Sequence, residues 1–167
     1  MGTGLGVQKE RVNTMVGMND VLFVGFKGKN NSSSVLAEQL SPEHLLLTNS
    51  FAGLKKDIDS IHKEYDCIVM FGVDKTLTSS VRIEKVAFLD GEKKTSGLNV
   101  DKLADSMNVC GISGAVSEDP TAYLCNAAYW HMLKKFSGRA VFIHIPTAKN
   151  LNDDLIVKMK RFFNNEL

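Results

Sequence analysis

The stretch AVFIHI (Ala140–Ile145), stopped by Pro146, is a run of apolar residues broken by one histidine. Its length suits a strand, and its near-continuous apolarity implies a strand covered on both faces. VLFVGF (Val21–Phe26) and CIVMFG (residues 67–72) have the same character. HLLLT (44–48) and the segment from Val81 to Phe88, with Val81 and Ile83 alternating, predict two further strands. Between these runs the apolar residues change to helical spacing. Leu36, Ala37 and Leu40 mark a short helix, and Phe51, Leu54, Ile58 and Ile61 a second that reaches about Glu64. Residues 100–107 and about 121–135 predict two more. A last helix carries Leu151, Leu155, Ile156, Met159 and Phe162 on one face. Asp153 and Asp154 open it and Lys158 to Arg161 lie near its end, the charge order a helix dipole favours. This alternation specifies an α/β protein: a single three-layer α/β/α domain on a mixed, largely parallel sheet. The domain spans residues 20–167, and residues 1–19 read as a disordered leader. LDGEKKTSGL (89–98) reads as a polar loop.

The chain has 167 residues, 44% apolar and 23% charged, which suits one globular domain and excludes a disordered or collagen-like chain. Twenty basic residues against nineteen acidic give a formal charge of +1. Phosphate recognition needs a basic excess, so neither nucleic acid nor a membrane surface is an expected partner. No apolar run is long enough to span a bilayer. The three cysteines are an odd number without paired spacing, which points to a reducing cytoplasm. The absence of any CxxC pair argues against a zinc ribbon, and no metal is expected. The early glycines form no GxGxxG after a strand, and no cofactor is expected.

Functional groups in such sheets gather at the carboxyl ends of strands and at the helix N-termini that follow. Three residues sit in such places. Cys125 lies near the start of a helix for which Asp119 is the expected N-cap and Pro120 the first residue. A helix N-terminus favours thiolate, although a free cysteine also serves as a small buried hydrophobe. Cys67 and Cys110 fall in apolar strands and read as inert. His144 is one residue from its strand's end, placed either to act as a base or to be held by a backbone carbonyl. Glu84 lies in a strand-like segment, where spacing alone also allows a solvated face paired with Arg82 or Lys85. A thiol needs a base, and the base needs a third polar group to fix its tautomer; these are the parts of a cysteine hydrolase. His131, six residues beyond Cys125, points elsewhere on its helix.

At these residues the chain resembles the pyroglutamyl peptidase I (pyrrolidone-carboxylate peptidase) family, as a divergent and shortened member. The family has an N-terminal strand ending in Gly-Phe, a loop with Asn-Pro-Ser and a Glu-Arg-Val-Ala-type segment. A Tyr-Val-Cys-Asn segment and a Phe-Ile-His-Val-Pro strand follow. The chain reads VLFVGF, NSS (31–33), IEKVA (83–87), AYLCN (122–126) and FIHIP (142–146) in the same order. The resemblance implies a cysteine peptidase that removes an N-terminal pyroglutamyl residue from small peptides. Cys125 would be the nucleophile, His144 the base and Glu84 its orienter. Phe26, Tyr123 and Leu124 would line the lactam pocket, and the enzyme would be a homo-oligomer. The specificity stretches depart: KGKNN follows Gly-Phe where the family has Glu-Pro-Phe-Gly-Gly, and VDKTLT (73–78) replaces a glycine-rich turn. The family's Arg-Ile-Pro-Asp-Asn stretch is absent. A small cysteine amidase of another acyl specificity and a non-catalytic binding or assembly protein are the alternatives.

Overall fold

The computed structural model describes residues 20–121 and 123–166; the expected leader, residues 1–19, lies outside them. Apolar runs form the strands of a six-stranded sheet. Its order is β2 (His44–Leu47), β1 (Val21–Phe26), β3 (Cys67–Val73), β8 (Ala140–Ile145), β4 (Val81–Glu84) and β7 (Gly114–Ser117). Neighbours run parallel except β4 and β8, which are antiparallel, so the sheet is mixed and largely parallel.

Strand side chains alternate between faces, and helices cover both. On one side α1 (Ser32–Leu40), α3 (Val100–Val109) and α5 (Asp153–Glu166) bury Leu36, Met107 and Phe162 against Phe71 and Ile143. On the other, α2 (Phe51–Asp59) and α4 (Tyr123–Lys135) bury Leu54, Ala128 and Leu133 against Met70 and Phe142. Asn31 N-caps α1 by accepting from Ser33 N–H at 2.9 Å. The adjoining serines tie strand ends together. Ser33 Oγ accepts from Phe26 N–H at 2.9 Å, and Ser32 Oγ–H donates to the Pro146 carbonyl at 2.6 Å.

Three sequence expectations are corrected. The segment 81–88 is not one strand: it leaves the main sheet at Lys85, and β5 (Val86–Leu89) pairs with β6 (Glu92–Thr95). The stretch 89–98 is therefore not simply a loop. Asp90 and Gly91 have φ of +50° and +80°, the two positive central dihedrals of a type I′ hairpin turn, which suits the twist of paired strands. Strand β6 is EKKT, mostly exposed, so it carries no apolar period to betray it. Lastly, α4 begins at Tyr123, so Asp119 and Pro120 precede the helix rather than opening it.

The hairpin packs on α4 through polar anchors. Asn126 Oδ1 accepts from Phe88 N–H at 2.9 Å and its Nδ2–H donates to the Phe88 carbonyl at 2.6 Å. Trp130 Nε1–H donates to the Glu92 carbonyl at 3.0 Å. Asn126→Ala leaves both Phe88 backbone groups without these partners, at about 1–3 kcal/mol. Denaturant unfolding should show that loss, and hydrogen exchange should show faster amides in β5 than in β3.

Candidate active site

Strand β8 supplies His144, whose ladder partners are Gly72 on β3 and Arg82 on β4. Glu84 pairs with Phe142 in the same ladder. Pairing and alternation therefore put Gly72, Arg82, Glu84, Phe142 and His144 on the face that α4 covers. The consequence is direct contact across sixty residues of sequence: His144 Nδ1 lies 2.8 Å from Glu84 Oε1, with both side chains buried. The same oxygen accepts from Arg82 Nε–H at 2.7 Å. An oxygen already accepting from a guanidinium faces a protonated ring nitrogen, so Nδ1 carries a hydrogen.

Arg82 extends the network outward. Its Nη1 lies 2.7 Å from Asp74 Oδ2. Hydrogen bonds from the Thr76 hydroxyl and N–H, with the charge of Arg82, hold the Asp74 carboxyl down to about 2. On the inner side, Tyr129 O–H donates to the Glu84 carbonyl at 2.8 Å and fixes that strand end.

Cys125 reaches this face because Gly72 has no side chain. A Cβ at position 72 would lie 3.0 Å from the Cys125 sulfur and 2.6 Å from the Phe142 ring. Burial, reinforced by the charges of Glu84 and Asp74, pushes the Cys125 thiol up to about 11. The thiol therefore keeps its proton at neutral pH unless a base removes it.

Cys125 and His144 line one cavity of about 610 Å³ with Val73, Asp74, Lys75, Thr121, Tyr123 and Leu124. Of the expected site residues, Glu84 and His144 meet directly, while Cys125, Tyr123 and Leu124 share the cavity with His144. Phe26 lies beneath instead: it is buried against Phe142, with centroids 6.4 Å apart, and Phe142 in turn lies 4.9 Å from the His144 ring. Tyr123 is exposed at the cavity and has φ of +61°, a conformation unusual for a residue with a side chain.

The other cysteines differ from expectation in one case. Cys67 begins β3, fully buried, and burial pushes its thiol up to about 12. Cys110 is not in a strand; it ends α3 and is exposed. His131 lines a separate hollow with Trp130 and Lys134. Among the described residues no group of three or more His, Cys, Asp and Glu side chains is placed to hold a metal ion, and no helix is long and apolar enough to cross a membrane. Sequence reasoning missed Arg82 and Gly72 as site residues. Alternation places Arg82 on the Glu84 face, and a glycine inside an apolar strand signals close approach by another group.

No protein-family model matches the chain, and no curated protein matches it by sequence. Solved structures do. A pyrrolidone carboxyl peptidase from Thermus thermophilus superposes with a TM-score of 0.72 at 18% identity, over 88% of this chain and 100% of that one. The Thermococcus litoralis pyrrolidone carboxyl peptidase gives 0.71 at 17%, over 87% and 92%. The fold is that of the pyrrolidone carboxyl peptidases. The pyroglutamyl peptidase I of Bacillus amyloliquefaciens agrees, at 0.67 and 17%, over 87% and 91%. In this pyrrolidone carboxyl peptidase fold, the mixed sheet is what sets the β4–β8 ladder carrying Glu84 and His144.

Gly72→Ala tests the close approach. The added methyl group must displace a buried phenylalanine ring and the thiol, an overpacking cost of about 1–3 kcal/mol. The midpoint of chemical denaturation should fall accordingly.

Proposed function

We propose that the protein is a cysteine peptidase that hydrolyses the amide bond after an N-terminal pyroglutamyl residue, with Cys125 as nucleophile, His144 as base and Glu84 as orienter. One observation carries the reading: a buried His144–Glu84 hydrogen bond of 2.8 Å borders the cavity that holds Cys125, within the pyrrolidone carboxyl peptidase fold. His144 Nε2 takes the thiol proton as the sulfur attacks the acyl carbon. Backbone N–H groups in the first turn of α4, which have no partners within the helix, supply donors for the oxyanion. Collapse of the tetrahedral adduct breaks the C–N bond, and the imidazolium returns its proton to the leaving amine. Water, deprotonated by the same nitrogen, then attacks the thioester, and C–S cleavage regenerates the thiol and releases pyroglutamate.

Tyr123 and Leu124 stand where they can contact the acyl group, and Phe26 supports the site from below through Phe142. We propose no cofactor or metal, a small peptide substrate, a cytoplasmic setting and a homo-oligomer, the last following from the family resemblance. A second reading is favoured by Asp74 and Lys75, two charged residues on the cavity wall. A neutral lactam makes little use of them, whereas a cysteine amidase with a polar or charged acyl group would.

A fluorogenic amide panel separates the two: pyroglutamyl amide cleaved fastest supports the peptidase, and a charged acyl amide cleaved fastest supports the amidase. Cys125→Ser and His144→Gln should each lower kcat/KM by at least about 1,000-fold. Hydrolysis that persists in Cys125→Ser would sink the mechanism.

The raised thiol adds a pH prediction, read in a Cys110→Ser background so that the exposed Cys110 does not compete for reagent. Below about 11 an unassisted Cys125 is largely protonated, so iodoacetamide alkylation in His144→Gln should keep climbing toward that pH. With His144 present, the rate should already rise near neutrality. Identical pH profiles for the two proteins would remove His144 as the base.

A further inference from the structure

The hydrolysis proposed above requires a carboxylate beside His144, yet the structure gives that carboxylate a second donor. Glu84 Oε1 accepts from both His144 Nδ1–H at 2.8 Å and Arg82 Nε–H at 2.7 Å. Arg82 is itself gripped at its far end by Asp74, at 2.7 Å, and Asp74 is fixed by Thr76 through hydrogen bonds of 2.8 Å and 2.6 Å. A guanidinium held at both ends is a rigid plane, which a lysine ammonium cannot reproduce.

We infer that Arg82, anchored by Asp74, is a positioning residue that locks the Glu84 carboxylate against His144 and limits protonation of the imidazole. The inference rests on Glu84 and His144 being orienter and base. Two effects follow from the geometry. Orientation comes first: with Oε1 pinned between two donors, Glu84 has one rotamer, the His144 hydrogen stays on Nδ1, and Nε2 remains available to the thiol. Charge comes second. Among the described residues, the charged and titratable groups around His144 are Asp74 and Lys75 from the turn after β3, Arg82 and Glu84 from β4, and Tyr123 and Cys125 from α4. Glu84 favours the imidazolium, whereas Arg82, sharing its oxygen, opposes it. Asp74 tempers Arg82 in turn. The network therefore sets charges of alternating sign in line with the His144 ring, each of which can be removed singly.

The signs of the two charge removals differ, and this separates the inference from a merely structural role. Arg82→Met removes the opposing positive charge, so the His144 titration should move up by about one pH unit. Asp74→Asn removes the tempering negative charge, so the same titration should move down. Arg82→Lys retains charge without the fork: its titration should stay near that of the wild type, while kcat falls at least tenfold with KM little changed.

NMR titration of the His144 ring, with the pH profile of pyroglutamyl amide hydrolysis beside it, reads these outcomes. If Arg82→Met does not fold, Asp74→Asn and Arg82→Lys still decide. A titration that moves the same way in Arg82→Met and Asp74→Asn, or in neither, overturns the inference, as does full kcat in Arg82→Lys. Opposite shifts in a protein that hydrolyses no amide would support the positioning role and overturn the peptidase reading instead.

Discussion

The Glu84 carboxylate is 1% exposed, and on that burial the rest of the site depends. An ionised group withdrawn from water costs several kcal/mol unless partners replace its hydration. Those partners must arrive from outside its own strand, and the sheet delivers them. Because β4 runs antiparallel to β8, Arg82 falls opposite His144 and Glu84 opposite Phe142, which brings guanidinium, carboxylate and imidazole onto one face. A slip of one residue would turn the acid to the other face of the sheet, away from the ring. Tyr129 adds a constraint from the helix above by holding the Glu84 carbonyl. The register of the sheet and the tautomer of His144 are therefore one requirement, met by the same strand pair.

Space imposes the second requirement. Below the histidine the wall is aromatic: Phe142 under the His144 ring, Phe26 and Tyr129 against Phe142. This floor holds the His144 ring in place and also shields the Cys125 thiol from water. Two effects then oppose each other at Cys125. Its position in the first turn of α4 favours thiolate by about 0.3–1 kcal/mol in exposed cases and by up to ~2 in partly buried ones. Burial and the fields of Glu84 and Asp74 carry it the other way, to about 11, which corresponds to roughly 3 kcal/mol. The second effect wins, so the helix start does not by itself make Cys125 a thiolate at neutral pH.

Strand interiors were readable because their cause is local. Val21–Phe26 and Ala140–Ile145 have the bounds their apolar runs imply, since covering both faces of a strand leaves no choice of residue type. Where the cause is not local, pattern fails. Strand β6 is polar because one side faces solvent, and it is held by a turn and by Trp130 rather than by burial of its own side chains; only the Asp-Gly dipeptide marks it. The break at Lys85 has no signal of its own, because Val86 and Ala87 are as apolar as Val81 and Ile83; the chain simply passes from one sheet to another. At the site, Cys125, His144 and Glu84 were identifiable as chemical types. The sequence could not show that an acid and a base sixty residues apart meet at 2.8 Å. Nor could it show that Phe26 supports Phe142 instead of facing the cavity.

The sheet and the loops divide the work unequally. Glu84 and His144 stand on strands, whose positions are set by ladders on either side, whereas Asp74, Lys75 and Thr121 on the cavity wall come from connections. Connections can change without disturbing ladders, and the departures from the pattern of the resembled family fall in such stretches: KGKNN after β1, and VDKTLT, all of which but Val73 follows β3. The turn after β3 is nevertheless not free to drift. Asp74 presents one side to the cavity and, through Arg82, holds the Glu84 carboxylate that contacts His144. A substitution there that reshapes the cavity wall also reaches His144 through three linked hydrogen bonds, by way of Arg82 and Glu84. In this chain, therefore, the shape of the cavity wall and the hydrogen-bonded setting of His144 are physically coupled at Asp74.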